Sequence, residues 1–236
     1  MDVITNRPVI GVVGGSGGAG ASTFAAVLAA TAAAGDGAGV LVDLDPAAGG
    51  LDVLLGIEDV PGARWSGLRL GGGRLDPAVL VDGLPGWSSV AVLSADTLPE
   101  PEAVSQVLAV ARAVAPVVVD LGRWDSPARA AAVEQCSLTV LVCRADVRSV
   151  TGGRATRLAL GGCPVGLLVV QAGREAVSAR RVAELVDAPL IGVLSALAGS
   201  GDRPLDAGSL PRAPAGVARG VLDAVAGLST AGESLA

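Results

Sequence analysis

The chain contains no lysine, no histidine and no tyrosine; all seventeen basic residues among its 236 are arginine. Without histidine there is no imidazole for acid/base work or metal ligation, and without lysine there is neither Schiff-base chemistry nor a point-charge ammonium for phosphate. Aromatics are nearly as scarce. Phe24, Trp65, Trp87 and Trp124 are the whole set, so the core has to be built from small and branched aliphatics, which suits a parallel sheet covered by alanine-rich helices. Apolar runs of membrane-spanning length without a charge or glycine break are missing, as is a leader pattern at the start. A soluble, cytoplasmic protein is expected. The net charge of -6 and the thin Arg180-Arg181 pair make nucleic acid an unpromising partner. The last helix-like stretch, AGVARGVLDAVAGL, has one arginine and one aspartate and so lacks the basic face of a lipid-binding helix. Cys136, Cys143 and Cys163 sit in or beside apolar runs rather than at metal-ligand spacing and are expected to be buried free thiols.

What is present is a regular alternation. Apolar runs of strand length occur at Val9 to Val13, Val40 to Leu44, Val90 to Leu93, Val117 to Leu121, Leu138 to Cys143, Val165 to Val170 and Leu190 to Leu194, and their continuity predicts strands buried on both faces. Helices are predicted at Ser22 to Ala34, Glu100 to Ala115, Ser126 to Glu134, Val147 to Leu160, Glu175 to Val186 and Gly216 to Leu228. This pattern predicts one α/β domain, a doubly wound, mostly parallel sheet with helices on both faces. Residues 8–228 form the domain, 1–7 an extension and 229–236 a flexible tail. The Gly- and Pro-rich stretch from Pro61 to Trp87, with a short helix at Pro77 to Asp82, reads as a lid-like insertion.

The first strand runs into GGSGGAGAST, which satisfies two fingerprints. Gly15-x-Gly17-x-x-Gly20, followed by Asp43 at the end of the next strand, fits a dinucleotide-binding turn and an NAD(P)-dependent oxidoreductase. The same residues fit the phosphate-loop pattern G-x-x-x-x-G-K-[ST] everywhere except the lysine, which is Ala21. The hydroxyl pair Ser22-Thr23 and the strand-end Asp120 favour the second reading, because a phosphate loop needs a hydroxyl on Mg²⁺ and a carboxylate to orient the metal's waters. The backbone amides of Gly17, Gly18, Ala19, Gly20, Ala21 and Ser22 can hold a phosphate without any side chain.

The run Ser16 to Thr23 resembles the deviant Walker A loop, K-G-G-x-G-K-[ST]-T, of the ParA/MinD superfamily of P-loop ATPases, with Ser16 and Ala21 in place of both lysines. VLVDLDPAAGGLDVLLG resembles that superfamily's switch I region and VVVDLG its switch II strand. Within it, GGRLDPAVLVDGLPGWSSVAVLSAD and CSLTVLVCRADVRSVTGG are similar to the CpaE/TadZ branch and its actinobacterial septum-site-determining relatives. Members of that branch often carry an N-terminal receiver-like domain, so the resemblance implies a short form or one domain of a longer chain.

The resemblance implies ATP and Mg²⁺ as ligands, Ser22 on the metal, Asp120 and Asp43 behind it through water, Thr23 on the α-phosphate and Asp45 positioning the attacking water. It implies an adenine-reading amide where this chain has Gln171. Asp45 also fits a plain helix N-cap. With both lysines gone, hydrolysis should be weak or absent, unless an arginine such as Arg123, Arg144 or Arg148 substitutes. The partners implied are a second copy of the chain and a protein of a pilus, secretion or division apparatus that recruits it to the pole or septum. A nucleotide-independent dimeric scaffold is the degenerate version of this reading.

Overall fold

The computed structural model describes residues 7–48, 50–69, 75–123, 125–171, 173, 177–195 and 203–233. Eight strands form one sheet: β1 (Val9–Gly14), β2 (Gly39–Asp43), β3 (Gly86–Trp87), β4 (Val90–Leu93), β5 (Val117–Asp120), β6 (Leu138–Arg144), β7 (Val165–Val170) and β8 (Leu190–Leu194). They lie in the order β3-β4-β2-β5-β1-β6-β7-β8, and every neighbouring pair is parallel except β3 with β4. The two-residue β3 is too short to show a periodicity, which is why the sequence did not reveal it.

The helices are α1 (Ala21–Asp36), α2 (Gly50–Leu55), α3 (Pro77–Asp82), α4 (Pro101–Ala111), α5 (Pro127–Val133), α6 (Val147–Ala159), α7 (Ala179–Val186) and α8 (Arg212–Glu233). Side-chain caps and proline fix several starts: Asp76, Ser126, Asp146 and Ser178 each accept a backbone N–H from the turn that follows. The Ser178 cap starts α7 at Ala179, later than the predicted Glu175, which lies outside the described residues. At the other end α8 continues to Glu233, into the stretch expected to be tail.

Two hydrophobic cores lie on opposite faces of the sheet. One packs α4 through Val104, Val107 and Leu108, with α5, α6 and α7 beside it. The other packs α1 through Phe24, Val27 and Leu28 together with α2 and α8. The central strands β1, β2, β5, β6 and β7 are buried almost throughout, as their unbroken apolar runs predict. The edge strand β8 departs from that expectation, with Leu190, Ile191 and Val193 all exposed. Its LIGVL run is as apolar as a central strand, but among the described residues only β7 pairs with it.

The region from Pro61 to Trp87 is not a loose cover where it is described. Trp65 and Trp87 are buried, and β3 joins the sheet. Arg64 ties the segment down by donating to Asp52 Oδ2 at 3.2 Å and to the carbonyls of Val60 and Ile57 at 2.9 and 3.1 Å. Trp124 and residues 70–74 lie outside the described residues. Cys136 and Cys143 are buried free thiols as expected, and Cys163 is half-buried. Among the described residues no helix is long and apolar enough to cross a membrane.

Candidate functional site

The carboxyl ends of β1, β2 and β5 open into a cleft of about 510 Å³. Its floor is the loop between β1 and α1, and every residue from Ser16 to Thr23 lines it. Gly20, at φ 95°, makes the left-handed turn that starts α1, and no side chain caps the helix there. The first amides of α1 are therefore left without a side-chain acceptor at a helix end that carries partial positive charge. Below the loop, Gly15 rests on α6: a Cβ there would stand 2.6 Å from both Cys143 Sγ and the Ser149 carbonyl oxygen. Gly152 and Gly153 of α6 allow the same close approach from the other side. The pair was visible in the sequence as VTGGR, but only the packing gives it a purpose.

Three carboxylates enter the cleft, and each is held differently. Asp120 ends β5, where its Oδ1 accepts Gly122 N at 3.3 Å, and it lines the cleft together with Ser22. Asp43 stands beside it in register at the end of β2. Its Oδ1 accepts Asp45 N at 2.9 Å, and its Oδ2 accepts Leu51 N at 3.1 Å and Ala95 N at 3.4 Å. Above them Asp45 caps the turn Pro46–Ala48 by accepting Ala47 N at 3.1 Å. Asp45 also packs on Gly122, where an added Cβ would lie 2.7 Å from the Asp45 Cβ. Trp65 Nε1 donates to the Asp43 carbonyl at 2.7 Å and so seals the rear of β2.

This crowding of acids has an electrostatic consequence. Burial, helped by the Asp120 charge, pushes the Asp43 carboxyl up to about 7 against three opposing backbone hydrogen bonds. Burial pushes Asp120 upward as well, and the Asp45 charge adds to it while Ser22 and Gly122 oppose it. Among the described residues no group of three or more acidic, cysteine or histidine side chains is arranged to hold a metal by itself. The donors available include the Ser22 hydroxyl and the Asp120 and Asp45 carboxylates, each of which accepts one backbone amide, a set that fits Mg²⁺ shared with phosphate oxygens and water.

The structure thus brings together Ser16, Gly17, Gly18, Ala19, Gly20, Ala21, Ser22, Thr23, Asp43, Asp45 and Asp120. Gln171 is not among the residues lining this cleft; it follows β7, where its N–H donates to Leu194 O at 2.8 Å. Of the three arginines considered as substitutes, Arg123 alone lines the cleft. Arg144 is turned toward Asp146, 3.5 Å from its Oδ2. Leu51 and Leu54 of α2 form an apolar wall that was not anticipated, although their i, i+3 spacing in GLDVLL carried the signal.

Comparison with known proteins places this geometry. No family model matches the chain. The Mycobacterium tuberculosis protein Rv3660c, described as uncharacterized, is 38% identical over 194 residues, which cover 80% of this chain and 54% of the relative. The chain therefore spans about half the length of the curated relatives it matches. Among solved structures, a ParA family ATPase from Chlorobium tepidum superposes with a TM-score of 0.62 at 18% identity, covering 92% of this chain and 91% of that one. The Pyrococcus furiosus cell division ATPase MinD gives 0.64 at 16% identity, over 93% and 99%. The septum site-determining protein MinD of Pyrococcus horikoshii, complexed with Mg-ADP, gives 0.58 at 19%, over 80% and 82%. The fold is that of the ParA/MinD ATPases.

The strand order separates this ParA/MinD-like fold from the dinucleotide-binding one. In the latter the second strand lies directly beside the first, so that its terminal acid reaches the ribose. Here β5 lies between β1 and β2, and Asp43 faces Asp120 instead of the loop's first glycines. The Gly15-x-Gly17-x-x-Gly20 match therefore lacks the strand neighbour that the dinucleotide reading requires.

Proposed function

We propose that this domain is a ParA/MinD-type nucleotide-binding module that holds ATP with Mg²⁺ and hydrolyses it slowly or not at all. The observation that carries this reading is that Ser22 and Asp120 line one cleft beside an uncapped helix start. The amides from Gly17 to Ser22 hold the β-phosphate, Thr23 reaches the α-phosphate, and Mg²⁺ takes the Ser22 hydroxyl with Asp120 behind it. Asp43 backs that metal shell chiefly as a clamp, because three backbone amides already occupy its oxygens. Asp45 orients the water opposite the terminal phosphate while also capping its own turn. Gln171 serves the base only if a rearrangement brings it to the cleft.

Slow turnover follows from Ser16 and Ala21, since losing one phosphate-directed cation costs on the order of a hundredfold or more in rate. In the finer reading the chain is a CpaE/TadZ-like spatial regulator, a homodimer whose ATP-bound state docks a protein of a pilus, secretion or septum-placing apparatus. That partner, and not a lipid-binding helix, recruits it to the pole or septum.

Isothermal titration with ATP and Mg²⁺ tests the reading. Saturable binding is expected for the parent, and its loss in Gly18→Arg, where a bulky side chain enters the loop at φ +72°. Absence of binding by the parent would overturn it.

A further inference from the structure

We propose that Arg123 is the phosphate-directed cation of this cleft, supplied by the loop after β5 in place of the missing loop lysine. The inference rests on the nucleotide-binding reading and goes beyond it. A Cβ built on Gly17 would lie 2.5 Å from Arg123 Nη1 and 3.5 Å from its Cζ. The guanidinium therefore lies directly over the glycine loop, and Gly17 makes room for it. Among the described residues the ion pairs are made by Arg64, Arg144, Arg180 and Arg181. Arg123 has none, although Asp45 and Asp120 open into the same cleft. It lines the same cleft as the loop from Ser16 to Thr23.

The placement has a mechanical basis. Gly122, two residues past the end of β5, takes φ +64° and turns Arg123 back toward the loop after β1. The same glycine packs on Asp45, so the loops after β2 and β5 are in contact where the arginine departs. A guanidinium presents a planar fork that can bind two phosphate oxygens at once, where an ammonium offers a point charge. The ligand it fits is a polyphosphate, and its contribution should grow from a mono- to a triphosphate. Because the residue is exposed and unpaired, replacing it should leave the folded state intact.

The test is titration calorimetry of the full chain with ATP, ADP and AMP in the presence of Mg²⁺, together with thermal unfolding without nucleotide. Arg123→Gln is expected to weaken ATP binding at least tenfold, to weaken ADP less and to leave AMP within twofold, with an unchanged melting temperature. Arg123→Lys should recover part of the loss, and Arg148→Gln should bind like the parent. Rising salt should narrow the gap between the parent and Arg123→Gln. If the parent binds ATP and both Arg123 variants bind it within twofold of the parent, the inference fails and the nucleotide reading stands. If the parent binds no nucleotide, both fall.

Discussion

Asp43 and Asp120 stand side by side at the ends of adjacent parallel strands, both buried, yet the chain uses them in opposite ways. Asp43 is saturated: its two oxygens gather amides from its own turn, from α2 and from the exit of β4. Asp120 keeps capacity in reserve: it accepts one backbone amide and shares the cleft with Ser22. Two aspartates with nearly the same local sequence, VLVDLD and VVVDLG, thus divide into a clamp and a candidate metal partner. The difference comes from which loops return to each strand end.

The largest expected effect that sharpens this contrast is on pH dependence. Asp43 binds its proton more tightly folded than unfolded, from an ordinary 3.8 up to about 7, so the folded state holds the extra proton between those values. Stability should fall as pH rises from about 4 to about 7, by roughly 1.4 kcal/mol for each pH unit crossed and a few kcal/mol in all. Urea denaturation of the nucleotide-free protein across that range measures it. Asp43→Asn should flatten most of the slope, and a slope unchanged in that variant would assign it to another group.

Removing the clamp comes next. Asp43→Ala leaves three buried amides without their acceptor and should cost about 3 kcal/mol at pH 5, less at pH 8 where the parent already bears a buried charge. Asp120→Ala should be far milder for stability while abolishing the Mg²⁺ dependence of nucleotide binding. Equal losses from the two would erase the distinction. Gly122→Ala should cost roughly 2 kcal/mol, because it meets both a left-handed φ of +64° and the Asp45 Cβ at 2.7 Å. Chemical denaturation would register that loss. The smallest effect is Trp65→Phe, which removes the donor to the Asp43 carbonyl and should cost about 1 kcal/mol in the same assay. A null result there would mean that the aromatic packing, rather than the hydrogen bond, holds the segment.

Much of this was readable in advance. The limits of β4, β7, β8 and α3 coincide with those predicted, and the loop from Ser16 to Thr23 lines the cleft as its glycines and hydroxyls suggested. The errors have physical causes. Pro61 to Trp87 looked like a lid because glycine and proline hide periodicity, yet Arg64 and Trp65 pin it through partners that are distant in the sequence or are backbone carbonyls. The exposure of β8 reflects its edge position, which follows from strand order and not from its composition.

The sequence by itself determined that a glycine-rich loop joins a strand to a helix, on a parallel sheet, with no cation in the loop. Those features are local: a glycine pattern, a strand period and a missing side chain are each complete within about ten residues. Only the tertiary structure decided that three backbone amides converge on Asp43 but one on Asp120, and that Arg123 lies over Gly17. Such facts depend on which strand ends the crossovers bring together, and no spacing along the chain records them.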